Sequence, residues 1–195
     1  DILHCHDWHT AILPFLAKSQ IQNPKSKIKI ILTIHNLANQ GKWAAKEVFD
    51  FLGFKAKKEG EFNILKSGIL NADILNTVSP NYVEEIQTKE FGEGLNKELL
   101  KRKKDLYGIL NGIDKDRFNP EIDPLIKTNY SLKNLEKKGE NKIHLQKILK
   151  FEQNPRIPLL GFIGRLTSQK GIDLITKVIP NLIKFNCQLV ILGVG

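Results

Sequence analysis

The run "KIKIILTIH", residues 27–35, decides how this chain folds. From Ile28 to Ile34 it is interrupted only by Lys29 and Thr33. A nearly continuous apolar run of strand length belongs to a strand covered on both faces, which means a parallel sheet flanked by helices. Upstream, "DIL" (1–3) reads as the end of another strand. "TAILPFLAKSQIQ" (10–22) has helical spacing, with Pro14 in its first turn, where a missing N–H does no harm. Downstream, "NLANQGKW" (36–43) reads as a loop and "EFNILKSGILNAD" (61–73) as a helix. "ILNTVS" (74–79) is a short strand stopped at Pro80, and "NYVEEIQTKEF" (81–91) is helical. Glycines in "FGEGL" (91–95) mark a tight loop before the helix "NKELLKRKK" (96–104), and "LYGILNGID" (106–114) is a strand closed by an Asn111–Gly112 turn.

The stretch from Lys115 to Asn154 is the most polar and lysine-rich, is punctuated by Pro120 and Pro124, and reads as a domain junction containing the helix "NLEKKGENKIHLQKILK" (134–150). After it the pattern restarts. "IPLLGFIG" (157–164) is a buried strand, "RLTSQK" (165–170) a polar turn, "GIDLITKVIPNLIKF" (171–185) an amphipathic helix, and "CQLVILG" (187–193) a second buried strand. That is one βαβ unit opening a second doubly wound sheet, and the fold class expected is α/β.

Composition narrows the function classes. At 195 residues and 41% hydrophobic content the chain can bury a proper core. No apolar run reaches the roughly 18 residues that span a bilayer, and no signal segment opens the chain, so no membrane partner is expected. Cys5 and Cys187 stand apart without a paired motif, as free thiols of a reducing cytoplasm do. The net charge of +9 suggests a polyanion, but the lysines are dispersed and few aromatics lie between them, so a solvated lysine surface is expected and no nucleic-acid partner. Methionine is absent and both ends abut apolar runs, which reads as an internal fragment cut through working structure.

In doubly wound sheets ligands bind at the carboxyl ends of strands. This sequence places His4-Cys5-His6-Asp7-Trp8-His9, His35-Asn36, Asn111-Gly112, and Arg165 with Lys170 there. In "GRLTSQKG" (164–171) a guanidinium and an ammonium flank a helix start, whose N–H groups and dipole already favour an anion such as a diphosphate. Taken alone, the same residues also read as solvated charges at a helix entry. His4 and His6 share one face if the strand continues that far, which is a zinc or di-metal hypothesis. Against it, no compact zinc pairing and no second acidic or His/Cys cluster stands at a matching position. His6 and His9 are expected as hydrogen-bonded pocket lining, and Trp8 as packing.

Seven motifs then occur in order: "DILHCHDWHTA", "TIHNLANQGKW", "LKSGILNAD", "TVSPNYVEEI", "FGEGL", "GILNGIDKDRFNPEID" and "GFIGRLTSQKGIDL". Together they resemble the bacterial glycogen synthase and plant starch synthase family along essentially the whole chain. The resemblance implies the two-Rossmann-domain (GT-B) fold, with both domains incomplete. Residues 1–108 would be the later part of the N-terminal catalytic domain, and residues 109–195 the junction and start of the nucleotide-binding domain. It implies a retaining hexosyltransferase moving glucose from ADP-glucose to the non-reducing end of an α-1,4-glucan, without a metal or other cofactor. The location implied is cytoplasmic in a bacterium, or plastidic in a plant. Carried over by motif, Arg165 and Lys170 bind the donor diphosphate and stabilise departing ADP, His35 contacts the transferred glucose, and Asp7 lines the same pocket. Gly164, Asn36 and Asn111 complete the donor-binding set.

The chain departs from the family at Asn39, where "HNLAYQG" carries tyrosine, and in a shorter, lysine-rich stretch between Trp43 and Phe62. Neither "KTGGL" near a beginning nor "EPCGL" after Gly195 is present, so the chain alone is expected to be inactive. Two other readings stay open: a GT-B transferase using a different sugar nucleotide, and a metal- or nucleic-acid-binding module. The long motifs at residues 1–11 and 33–43 favour the glucan synthase over the first. Bound metal, or DNA affinity that falls steeply with salt, would mark the second.

Overall fold

The computed structural model describes residues 1–20, 28–55 and 59–195, which form two compact units, Asp1–Gly112 and Ile113–Gly195. The first unit is a four-stranded parallel sheet in the order β1-β2-β5-β6, with β1 Ile2–His6, β2 Lys29–Ile34, β5 Ile74–Thr77 and β6 Leu106–Gly108. The apolar run behaves as expected. Ile30, Leu32 and Ile34 are at most 2% exposed, because helices cover the sheet. Connecting the strands are α1 Asp7–Thr10, α2 Ile12–Gln20, α3 Ala45–Phe51, α4 Ile64–Asn71, α5 Pro80–Ile86 and α6 Asn96–Lys101, with a side hairpin of β3 Lys42–Ala44 and β4 Glu61–Asn63. Ile21, Gln22 and Lys27, included in the expected helix and strand, lie outside the described residues.

Local chemistry sets the helix starts. Asn63 accepts from the Lys66 N–H at 2.8 Å, and Ser79 from the Tyr82 N–H at 2.9 Å, each satisfying an otherwise orphaned donor. Pro80 fits at the first position of α5 because its fixed φ suits a helix and its missing N–H is not needed there. At the end of α4 the Arg102 guanidinium donates to the carbonyls of Ile69, Ala72 and Asp73 at 2.6, 2.9 and 3.0 Å. Asp73 in turn accepts from the Ile30 N–H at 2.8 Å, tying the start of β5 to β2. Gly68 lets α4 approach closely, since a Cβ there would stand 2.6 Å from the Ala11 Cβ.

In the second unit, β7 Leu159–Ile163 and β8 Gln188–Leu192 pair in parallel, joined by α8 Ile172–Lys184, with α7 Lys138–Ile148 before them. Gln146, on α7, is fully buried; its amide donates to the Asn154 carbonyl at 3.2 Å and to Gln188 Oε1 at 2.7 Å.

Several expectations need correcting. The first strand runs through His6, so His4 and His6 lie within it and not beyond it. Lys42 and Trp43, read as loop, belong to β3, and residues 61–63, read as helix, form β4. No turn forms at Asn111–Gly112, where the chain is irregular. The helix expected from residue 134 begins at Lys138, preceded by a 3-10 stretch in which Asn134 has non-helical angles. The polar turn contains a 3-10 segment, Ser168–Lys170. β7 and β8 are not fully buried, and Ile163 and Leu192 are 82% and 64% exposed. An apolar strand is buried only where a partner covers each face, and in this unit only Gln146 and Ile157 among the described residues reach full burial.

Candidate active site

Polar side chains collect where β1 and β2 end. The strand pleat sends Cys5 into the core, fully buried, and His4 and His6 to the opposite face, where their ring centroids lie 4.3 Å apart. Burial pushes the Cys5 thiol up, against a lowering hydrogen bond from Thr10. Thr33 hydroxyl donates to Asn76 Oδ1 at 2.7 Å, so its one proton is committed and it accepts from His4 Nε2 at 2.7 Å. This puts the His4 ring proton on Nε2. His6 Nδ1 faces His35 Nε2 at 3.0 Å, one ring donating to the other. Desolvation, then the neighbouring His4 and His35, hold His6 below its ordinary value against the opposing pull of Asp7.

Asp7 turns the chain out of β1 with φ +51°, a left-handed conformation that a short polar side chain tolerates better than most. Its Oδ1 accepts from the backbone N–H groups of His35 and Asn36 at 2.7 and 3.2 Å. Its Oδ2 makes no hydrogen bond among the described residues, so one oxygen is committed to the fold and the other is open to a ligand. Asn36 divides similarly. Its Oδ1 accepts from the Ala38 N–H at 3.0 Å, leaving its amide N–H groups without a protein partner among the described residues. The next residue is held by Tyr82, whose hydroxyl oxygen accepts from the Leu37 N–H at 3.3 Å. Burial is the main cause raising the Tyr82 phenol.

The second unit holds Gly164, Arg165 and Lys170 in one turn after β7. The Gly164 N–H donates to the Leu192 carbonyl at 3.0 Å and that of Leu166 to Val194 at 3.0 Å, so the β7–β8 ladder continues past both strands. A side chain at Gly193 would collide with the Gly164 backbone, so only glycine fits this close approach. Arg165 and Lys170 are exposed, and neither side chain makes an ion pair or hydrogen bond among the described residues. Gly171, φ +77°, starts α8 without a side-chain cap, leaving the first N–H groups of a 13-residue helix available beside these cations.

Asp7, His35 and Asn36 are thus brought together in the first unit, and Gly164, Arg165 and Lys170 lie along one short segment of the second. Asn111 is exposed in the irregular stretch after β6, without a hydrogen bond among the described residues. Sequence reasoning missed His6 as the partner of the His35 ring, and Thr33, Asn76 and Tyr82 as supports. Thr33 carried a signal, as the one hydroxyl inside an apolar strand. Among the described residues no group of three or more His, Cys, Asp or Glu is arranged to hold a metal ion, and no helix is long and apolar enough to cross a membrane.

Comparison with known proteins bears on these clusters. The chain is 46% identical over 205 residues to the glycogen synthase of Clostridium novyi (strain NT), covering 100% of this chain and 43% of that protein. It is 43% identical over 210 residues to the glycogen synthase of Thermotoga maritima, covering 100% and 42%. Among solved structures, the catalytic domain of starch synthase IV from Arabidopsis thaliana, bound to ADP and acarbose, matches with a TM-score of 0.84 at 37% identity. That match covers 99% of this chain and 42% of the other. The chain therefore spans about two fifths of the length of the relatives it matches. The α/β fold with parallel sheets is that of the two-Rossmann-domain glycosyltransferases, as the sequence motifs implied. Residues 1–101, more than half of the chain, match the starch synthase catalytic domain, and this chain belongs to that family.

Proposed function

We propose that this chain is the site-bearing part of a retaining glucosyltransferase that moves glucose from ADP-glucose to the non-reducing end of an α-1,4-glucan. Residues 1–108 would supply groups for the sugar and residues 109–195 groups for the nucleotide. The observation that carries the reading is the pairing of chemistries. Among the described residues, one unit ends its strands in an open carboxylate oxygen and open amide donors suited to sugar hydroxyls, and the other ends its strand in two cations without ion pairs at a helix start.

Breaking a glycosyl–phosphate bond leaves positive charge on the sugar and negative charge on the diphosphate. Arg165 spans two phosphate oxygens with its fork, Lys170 adds a point charge, and the α8 N–H groups add fixed dipoles. Groups aimed at developing charge are the largest electrostatic term in such a reaction. Gly164 keeps the backbone close to the phosphates. His35 meets the transferred glucose, with Asp7 Oδ2 and the Asn36 amide orienting its hydroxyls. Asn111 joins the donor set on its motif alone. The setting is the bacterial cytoplasm, or the plastid for a plant protein.

The test is transfer of labelled glucose from ADP-glucose to glycogen by the product of the gene that carries these residues. Arg165→Ala and Lys170→Ala should each lower kcat by about 100-fold or more, since one lost stabilising donor costs that much elsewhere. Equal transfer from UDP-glucose would shift the donor assignment. Absence of transfer from either donor, or full activity in both variants, would overturn the reading.

A further inference from the structure

We propose that His6 is a positioning residue, which holds the His35 ring in one tautomer and one orientation through the bond between its Nδ1 and His35 Nε2. The proposal deepens the functional reading above and rests on it for the sugar that His35 meets. Strand register creates the pair. His6 stands opposite Thr33, and His35 lies two residues beyond Thr33, so it is the diagonal neighbour of His6 on the same side of the sheet. The two nitrogens are 3.0 Å apart, the ring planes are 22° from parallel, and the centroids are 5.3 Å apart. With nitrogens that close and centroids that far apart, the rings meet edge to edge, where an N–H points along the in-plane lone pair of its acceptor.

His6 serves as a fixed post because both its main chain and its ring face are held. Its N–H donates to the Thr10 hydroxyl at 2.6 Å, and that hydroxyl donates back to the His6 carbonyl at 2.8 Å. The His4 ring lies against its face, with centroids 4.3 Å apart and planes tilted by 31°. His4 is itself anchored to Thr33, which is anchored to Asn76. The restraint thus runs from β5 through β2 to the end of β1.

The titratable groups facing His6 are His4 on its own strand, Asp7 at the start of α1 and His35 beyond β2. Desolvation first, then His4 and His35, outweigh Asp7 and keep His6 below its ordinary value, so at neutral pH it enters the contact as a neutral ring. A neutral imidazole has one donor and one acceptor nitrogen. When His35 is neutral too, the direction of its bond with His6 fixes the role of Nε2 and gives Nδ1 the opposite role. Nδ1 makes no hydrogen bond among the described residues, so it is the nitrogen left to meet a ligand. Asp7 holds only the main chain of His35. His6 is therefore what decides whether the ring offers a sugar hydroxyl a donor or an acceptor, and in which direction.

The experiment compares the same gene product with its His6→Ala, His6→Asn and His6→Gln variants. His6 is exposed, so these changes leave the core intact. An Asn amide puts a hydrogen-bonding atom where Nδ1 stood, and a Gln amide puts one where Nε2 stood. The His35 tautomer is read from imidazole 15N shifts at neutral pH, with the signal assigned by its loss in His35→Gln. The parent should show one His35 tautomer and His6→Ala a mixture of two. His6→Ala should also lower kcat/KM for ADP-glucose about tenfold and leave the KM for maltoheptaose unchanged, since it is alignment that is lost. His6→Asn should recover most of both effects, and His6→Gln little of either. A single tautomer retained in His6→Ala, tautomer mixing without loss of transfer, or Gln rescuing as well as Asn would each overturn the proposal. Tautomer mixing in His6→Ala when the parent itself transfers no glucose would keep the His6–His35 pairing and overturn the transferase reading instead.

Discussion

Replacing Asp7 tests whether one carboxylate oxygen holds the end of β2. Oδ1 accepts two backbone N–H groups, from His35 at 2.7 Å and Asn36 at 3.2 Å. A hydrogen bond to a charged group contributes about 1.5–3 kcal/mol when well enclosed. His35 is exposed and Asn36 half-buried, so water recovers part of each bond and about 1 kcal/mol apiece is the appropriate figure. Alanine at φ +51° adds a left-handed penalty of about 1 kcal/mol, which asparagine largely escapes and glycine avoids. Asp7→Ala should therefore cost about 2–3 kcal/mol, Asp7→Gly about 2, and Asp7→Asn, which keeps an acceptor oxygen, about 1. Both tryptophans, Trp8 and Trp43, lie in the first unit, so urea unfolding followed by indole fluorescence reports that unit alone. Asp7→Ala within about 0.5 kcal/mol of the parent, or Asp7→Asn as damaging as Asp7→Ala, would refute the reasoning.

His6 gives a pH signature. Its folded value lies below the ordinary 6.5, so the unfolded chain binds more protons, and stability rises with pH through that region and is lost as pH falls. His6→Gln should flatten the slope of the urea midpoint between about pH 5 and 7, and an unchanged slope would count against the contact with His4 and His35. Gly68→Ala gains helix propensity of about 1 kcal/mol but drives a methyl to within 2.8 Å of the Ala11 carbonyl oxygen and 3.0 Å of Leu32. A net loss of about 1–2 kcal/mol in urea melts is expected, and stabilisation would show that α4 can slide. Cys5 is fully buried and Cys187 half-buried, so a thiol reagent should label Cys187 in the native protein and Cys5 only as the first unit unfolds.

The parallel sheet was legible because burial on two faces leaves a continuous apolar run, and residues 28–34 carry one. The helix start after Ser79 follows equally local rules, whereas the helix read from Glu61 begins only after Asn63. What escaped was decided by neighbours. Strands of three residues, Lys42–Ala44 and Glu61–Asn63, are too short to show a period, and each exists because the other pairs with it. Arg102 reads as one more cation in a lysine-rich helix, yet its guanidinium closes the end of α4 thirty residues earlier in the chain. His4 and His6 read as residues beyond a strand because histidine carries little strand signal. Pairing with β2 extends the strand to His6, and Thr33 gives the His4 ring its partner.

That extension also explains why a cluster resembling metal ligands is arranged differently. In a strand, alternate residues share a face, so His4 and His6 necessarily stand together, and two imidazoles side by side need partners for their nitrogens. Thr33 takes one nitrogen of the His4 ring and His35 one nitrogen of the His6 ring. The consequence falls on His35. Its backbone N–H is held by Asp7 and its ring by His6, two successive residues of one strand end. A residue fixed from both its main chain and its side chain has little freedom left to lose when a ligand arrives, so under the proposed function the histidines that suggested a metal would frame the sugar pocket.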